Sequence, residues 1–253
     1  YRTRFPQTRM GVEQTFENAF TRALDYDKKL QLHKKNKKNP KPRRDLELDA
    51  LVEVLNKERY VTCHSYVQSE ILMLMDIAEK FEFNINIFTH ILEGYKVAEE
   101  LKNHGASAST FSDWWAYKYE VNDAIPYNAA LLNIAGVNTA INSDDAEMGR
   151  RLNHEAAKMV KYGNTSHEDA WKSITLNPAK MLEIDEFVGS LKAGKEADIV
   201  LWSGNPLSVY SKVEQTYVDG RCYFSQEEDQ KQREIIKSER ARLISKLNIK
   251  END

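Results

Sequence analysis

Val137-Asn138-Thr139-Ala140-Ile141-Asn142-Ser143-Asp144-Asp145 is a short β-prone apolar run that ends in two adjacent carboxylates. It runs into Met148-Gly149-Arg150-Arg151-Leu152-Asn153-His154-Glu155, where a helical pattern begins. α/β folds keep their chemistry at the carboxyl end of a buried strand, just before a helix. Taken alone, Ser143 and Asp144 or Asp145 need only cap that helix. The rest of the chain decides between capping and chemistry.

Working back from this stretch, the same unit recurs. Tyr60-Val61-Thr62-Cys63-His64 is short and β-prone, and the next helix carries Ile71, Leu74, Met75, Ala78 and Phe81 on one face. Asn84 to His90 is a second strand, with a helix from Tyr95 to Asn103. Ala106 to Thr110 is a third, and after the aromatic segment Trp114 to Tyr119 a helix is expected from about Asp123 to Ala135, stopped by Gly136. Val137 to Asn142 is the fourth strand, and its helix is expected to reach Tyr162, with Gly163 as its stop. Four strand-then-helix units in a row predict parallel strands with crossover helices. Periodicity leaves open whether they form half of a closed (β/α)8 barrel or an open sheet.

On either side of these units the texture changes. Residues 12 to 33 have a helical stripe through Phe16, Ala19, Phe20, Ala23 and Leu24, and a second helix opens at Asp45 through Leu46, Leu51, Val54 and Leu55. Between them, the basic run from Lys34 to Arg44 has two prolines and no aromatics for stacking bases, which fits a solvated loop. Thr165-Ser166-His167-Glu168 resembles a capping box, and Asn177-Pro178 is expected to end the short helix it starts. Strands are then expected at Phe187–Leu191, Ala197–Trp202, Glu214–Val218 and Arg221–Phe224, with Asp219-Gly220 as a hairpin turn. The last stretch, from Gln226, is a highly charged helix that lies on the surface or projects from it.

Composition narrows the classes. The 36 Lys and Arg nearly balance 39 Asp and Glu, so no overall field favours nucleic acid or an anionic membrane. No apolar run approaches the roughly 20 residues of a membrane span. Cys63 and Cys222 provide neither a disulfide framework nor a CxxC metal pattern and leave the compartment open. No Gly-rich phosphate loop follows any strand, which argues against an open-sheet nucleotide binder. The sequence starts at Tyr1 with neither an initiator Met nor a signal pattern, and the expectation is a piece of a longer protein.

The carboxyl ends of parallel strands share one face. His64 ends the first unit's strand, His90 the second, Ser109 to Asp113 follow the third, and Asp144 ends the fourth. Two histidines and a carboxylate arriving from different strands suit a divalent metal such as Zn²⁺. His33, His104, His154 and His167 read instead as solvated or helix-terminal.

These residues carry a resemblance. Val61-Thr62-Cys63-His64, then Ile87-Phe88-Thr89-His90 with Glu93-Gly94-Tyr95, then Ile141-Asn142-Ser143-Asp144 resemble, in that order, strands of the amidohydrolase superfamily. Asn177-Pro178-Ala179-Lys180 and Gly194-Lys195-Glu196-Ala197-Asp198-Ile199-Val200-Leu201-Trp202 are similar to that superfamily's return from barrel to β-sandwich. Arg150 to Lys158 resembles the helix after the last barrel strand in imidazolonepropionase-like members.

The resemblance implies an α/β fold: the C-terminal half of a (β/α)8 TIM-type barrel, a small antiparallel β-sandwich element and a C-terminal helix. The expected divisions are residues 1–57 as a helical insertion in the strand-four region, 58–180 as the barrel half, 181–224 as the sandwich segment and 225–253 as the charged helix. It further implies a metal-dependent hydrolase of carbon–nitrogen bonds other than peptide bonds, often cyclic amides or amidines, with Zn²⁺ as the expected cofactor. His64 would be a metal ligand, His90 a second ligand or substrate-polarising group, and Asp144 a ligand and general base. Asp145 would inherit the capping role, and Glu93 and Trp114 would contact the small-molecule substrate, with Trp115, Tyr117 and Tyr119 as further pocket residues.

The superfamily's His-x-His pair is nowhere in the sequence, since no two histidines are separated by one residue. The expectation is therefore a fragment, inactive alone, whose partner is the missing N-terminal half and whose exposed barrel edges invite a second copy. The alternative is a non-catalytic scaffold, in which the same residues form a polar network.

Overall fold

The computed structural model describes residues 4–114 and 116–250. The residues up to Met181 form one compact unit and those from Leu182 a second. Among the described residues, no helix is long and apolar enough to cross a membrane.

The first unit opens with a helical hairpin. Helix α1 (Arg9–Lys35) is capped by the Thr8 hydroxyl, which accepts from the Gly11 amide at 3.1 Å, and α2 (Leu46–Leu55) by the Asp45 carboxylate. The predicted stripe is only partly the buried one. Phe20 and Ala23 are inside, but Phe16 and Leu24 are exposed, and Gly11 and Tyr26 complete the covered face. In α2, Leu48, Val52 and Val54 are buried while Leu46 is 71% exposed. Phe20 stacks on Phe83 at 4.5 Å and so ties the hairpin to the main core. The loop from Asn36 to Arg44 is mostly exposed, as a solvated basic run should be.

Four strands follow: β1 (Thr62–His64), β2 (Ile87–Thr89), β3 (Ser107–Thr110) and β4 (Thr139–Ile141). All pair in parallel in the order β1-β2-β3-β4, so each crossover advances one place and none doubles back. The crossovers are α3 (Gln68–Lys80), α4 (Ala98–His104) and α5 (Asn128–Ala135). β4, the Ile87-Phe88 pair and β3 from Ala108 on are buried, as expected of a parallel sheet covered on both faces. Phe88, Ile71, Ile85, Leu101 and Leu132 form the centre of the core, all at most 1% exposed.

Several helices are shorter or more broken than the pattern predicts. A single 3₁₀ turn, Gly94–Val97, precedes α4, and residues 122–127 are not helical. The helix after β4 is interrupted into α6 (Ala146–Gly149) and α7 (Leu152–Gly163). Gly163 does not itself turn the chain: Asn164, with φ of 51°, takes the left-handed capping position. Gly163 is required by packing, because a Cβ there would lie 2.0 Å from Ala130 Cβ on α5. Ser166 caps α8 (His167–Lys172), accepting from the Asp169 amide at 3.0 Å. Asn177-Pro178, expected as a stop, lies within α9 (Leu176–Met181), in the first turn, where proline's missing N–H is not needed. His104 is not solvated: its Nε2 accepts from the Ile85 amide at 3.1 Å, tying the end of α4 to the chain entering β2.

The second unit holds an antiparallel sheet, β5 (Ile199–Trp202), β6 (Val213–Val218) and β7 (Arg221–Ser225), followed by α10 (Gln226–Lys250). The β6–β7 hairpin turns at Asp219-Gly220, both with positive φ, as a two-residue primed turn demands. The strand expected at Phe187–Leu191 is absent. Gly189 takes φ of 83° there, and the Lys195 ammonium gathers the carbonyls of Asp185 and Val188, which bends the segment into turns. Helix α10 carries surface ion pairs such as Lys231–Glu227 and Arg233–Asp229, and leaves Ile235, Ile236, Leu243, Ile244 and Leu247 exposed.

Candidate functional site

The carboxyl edge of the parallel sheet is drawn together beyond the strands themselves. The amide of Ser65 donates to the Thr89 carbonyl, that of Ile91 to Ser109, and that of Asn142 to Thr110. Buried Asn128, at the start of α5, braces this edge with every polar atom used. Its amide nitrogen donates to the Ile91 carbonyl at 2.8 Å and the Thr110 hydroxyl at 2.9 Å, and its oxygen accepts from the Tyr95 amide at 2.9 Å.

Three predicted residues stand on this edge. His64 is the last residue of β1 and is exposed; His90 follows β2 and is half-buried; Asp144 follows β4 and is exposed. His90 and Asp144 both occupy the left-handed region, with φ of 62° and 49°. Non-glycine residues held there carry backbone strain of about 1–3 kcal/mol, which tends to collect at functional sites. The His64 and His90 rings are 4.2 Å apart between centroids. His90 Nδ1 lies 3.0 Å from the side-chain amide of Asn142, so its Nε2 is the nitrogen left for other partners. Burial first, and then the neighbouring His64 and the Lys118 charge, push the His90 pKa below its ordinary value, while Asp144 pulls the other way. Protonation of the ring is thereby disfavoured.

Asp145 does what its position predicts. Its carboxylate accepts from the amides of Glu147 and Met148 at 2.9 and 2.8 Å and caps α6, leaving Asp144 free of that role. Asp145→Ala should cost about 1 kcal/mol, the usual loss for an N-cap. A fall in the thermal midpoint of the chain checks this, and Asp145→Asn should restore most of it.

Glu93 has structural partners. Buried, it accepts from the Gln68 amide at the start of α3 at 3.1 Å and pairs with Lys96 at 3.3 Å. Trp114 lies nearly parallel to Phe111, with centroids 4.5 Å apart, and its indole nitrogen is 2.8 Å from the Met148 sulfur. Trp115 lies outside the described residues. Tyr119 is 91% exposed, whereas Tyr117 meets Trp114 edge-on at 5.5 Å. Sequence reading passed over Tyr66, Lys118 and the side chains of Asn142 and Asn128. Asn142 had a signal, standing two residues before Asp144 at a strand end; Asn128 had none.

The rings form a continuous series. Tyr66 meets His64 edge-on at 5.1 Å, His64 faces His90, His90 stacks on Phe111 at 4.9 Å, and Phe111, Trp114 and Tyr117 continue it. Lys118 Nζ lies 4.2 Å from the Tyr66 ring and 5.4 Å from that of Tyr117. A hydrogen bond to Tyr66 holds its pKa above the ordinary lysine value. Beside this series, Asp113, Glu155 and Lys158 form a partly buried charge cluster that ties the segment after β3 to α7, with Lys158 Nζ 2.6 Å from Asp113 and 2.8 Å from Glu155. Burial pushes the Cys63 thiol up to about 11, which disfavours the thiolate a nucleophile needs.

Two imidazoles and a carboxylate are the right donor types for a borderline divalent ion. Yet no group of three or more His, Cys, Asp or Glu among the described residues is arranged to hold one. Two acceptors near His64 and His90, Ser65 Oγ and Asn142 Oδ1, are buried without a hydrogen-bond partner. The donors present thus fit the ion in kind but not in number.

Comparison with known proteins gives the edge a context. Residues 118–223 match the model of the amidohydrolase family. The chain is 30% identical over 238 residues to amidohydrolase tasK of Hapsidospora irregularis, a match that covers 88% of this chain and 24% of that protein. A stretch of 42 residues is 48% identical to imidazolonepropionase of Picrophilus torridus, 17% of this chain and 11% of that one. The crystal structure of an amidohydrolase from Thermotoga maritima MSB8 superposes with a TM-score of 0.79 at 32% identity, covering 89% of this chain and 58% of the other. The chain therefore spans about a quarter of the length of tasK and a little over half of the Thermotoga structure.

Proposed function

We propose that this chain, an amidohydrolase relative by its family match and by its likeness to tasK and the Thermotoga enzyme, supplies part of the active site of a hydrolase that cleaves carbon–nitrogen bonds. One observation carries the reading: His64, His90 and Asp144 stand together at the carboxyl edge of a parallel sheet whose order never reverses. An open doubly wound sheet needs a reversal to make its binding crevice. An unreversed order is what consecutive strands of a (β/α)8 barrel have, and such barrels carry their chemistry on that edge.

In this reading the chain is the C-terminal half of the barrel, and β5 to β7 belong to an accompanying β-sandwich. A divalent ion, with Zn²⁺ first among the candidates, would take His64, His90 and Asp144 as part of its donor set, the rest coming from outside the described residues. When bound it lowers the pKa of water to about 7. Asp144 accepts the proton of the attacking water and returns it to the departing nitrogen, which needs a carboxylate within hydrogen-bond reach of both. His90, held through Nδ1, has Nε2 left for one partner, either the ion or the substrate it would polarise. The ring series from Phe111 to Tyr117 shields one side of the bond from solvent.

The test uses the complete protein on cyclic amides, N-acyl amino acids, dipeptides and amino-heterocycles. Turnover on one class, lost with a chelator and restored by Zn²⁺, is expected. The second reading, a non-catalytic scaffold, draws on the absence of a three-donor group among the described residues. It predicts no turnover on any class with the metal supplied.

A further inference from the structure

Among the lysines on the segments that follow the strands, two are neutralised by carboxylates near this edge. Lys96 pairs with Glu93 and Asp123 at 3.3 and 2.5 Å, and Lys158 with Asp113 and Glu155. Lys118 has no carboxylate partner among the described residues. Its neighbours are the rings of Tyr66 and Tyr117. Ring faces hold an ammonium in place through their quadrupoles without cancelling its charge, so an anion is still attracted.

The position of this charge matters as much as its availability. Tyr66 touches His64, and Tyr117 is the far end of the series that runs through Trp114 and Phe111 to His90. Lys118 thus bridges the two ends of an aromatic circuit that contains both histidines. The flat rings suit a planar or aromatic body, and the ammonium suits a negative group attached close to the reacting bond.

We propose that Lys118, held between Tyr66 and Tyr117, is the anion-recognition group of this edge, and that its ligands are small carboxylates with an aromatic or planar body. Resting on the hydrolase reading above, this makes the substrates acylated amino acids or related amides whose carboxylate lies next to the scissile nitrogen, rather than uncharged heterocycles.

Binding is measured with probes that contain no carbon–nitrogen bond, so the result does not depend on turnover. The probes are 3-phenylpropionate and its neutral analogue 4-phenyl-2-butanone, titrated calorimetrically into the protein. The carboxylate should bind about tenfold or more tightly than the ketone, the scale of a charge-assisted hydrogen bond. Lys118→Met should abolish the preference, and Lys118→Arg should keep it. Lys118 is exposed, so neither variant disturbs the core. Equal binding of the two probes, failure of the carboxylate to bind, or a preference that survives Lys118→Met would overturn the proposal. Failure of the hydrolase reading would appear in turnover alone.

Discussion

Asp144→Asn should lower kcat/KM for carbon–nitrogen hydrolysis by the complete protein by about 10²–10⁴-fold, the usual contribution of a positioned general base. The amide keeps the size and most of the polarity of the carboxylate but cannot take a proton. The effect should be specific to this member of the pair. Asp145 is engaged with the amides of Glu147 and Met148, so Asp145→Asn should retain turnover within a small factor while Asp144→Asn does not. The left-handed φ of 49° at Asp144 helps here, because Asn adopts that conformation as readily as Asp. Steady-state kinetics and the thermal midpoint, measured on both variants, separate loss of chemistry from loss of fold.

Phe88→Ala should be the most damaging single truncation of the first unit. Phe88 is fully buried in the second strand, paired in register with Cys63 on one side and Ala108 on the other. It packs within the cluster that contains Ile71, Ile85, Leu101 and Leu132. Removing its ring should cost about 3–5 kcal/mol, through lost transfer free energy and an unfilled cavity. Because Thr89 and His90 follow directly, the register of the edge should suffer with the core. Ile134→Ala is the control: that side chain is 74% exposed, and its loss should fall within about 0.5 kcal/mol. Chemical denaturation followed by tryptophan fluorescence distinguishes the two.

The parallel sheet was legible in the sequence because its strands are short apolar runs that recur, each ending at a polar residue. His64, His90 and Asp144 were legible for the same reason: strand ends fix the face on which side chains emerge. Capping chemistry left both carboxylates open as the cap, and the resemblance assigned it to Asp145, which does cap α6. What escaped depends on contacts between distant segments. Nothing near Asn128 announces that it joins Ile91, Thr110 and Tyr95, and nothing near Lys118 shows that Tyr66 lies beneath it. Gly163 was read as a stop when its role is to let α5 and α7 approach. The expected strand at Phe187–Leu191 failed because β-prone residues were counted without the pull of Lys195 on the carbonyls of that segment. Glu93 looked available for substrate because its hold on the first turn of α3 spans 25 residues of sequence.

In the proposed reaction Asp144 handles the proton as a carbon–nitrogen bond is hydrolysed. Turnover of an N-acyl amino acid by the complete protein in ¹⁸O-labelled water, read by mass spectrometry, tests it most directly. Free amine together with a carboxylic acid that carries solvent oxygen should form with the wild type and be lost in Asp144→Asn. Cleavage that proceeds equally well in Asp144→Asn, or an acid product without solvent oxygen, would contradict it.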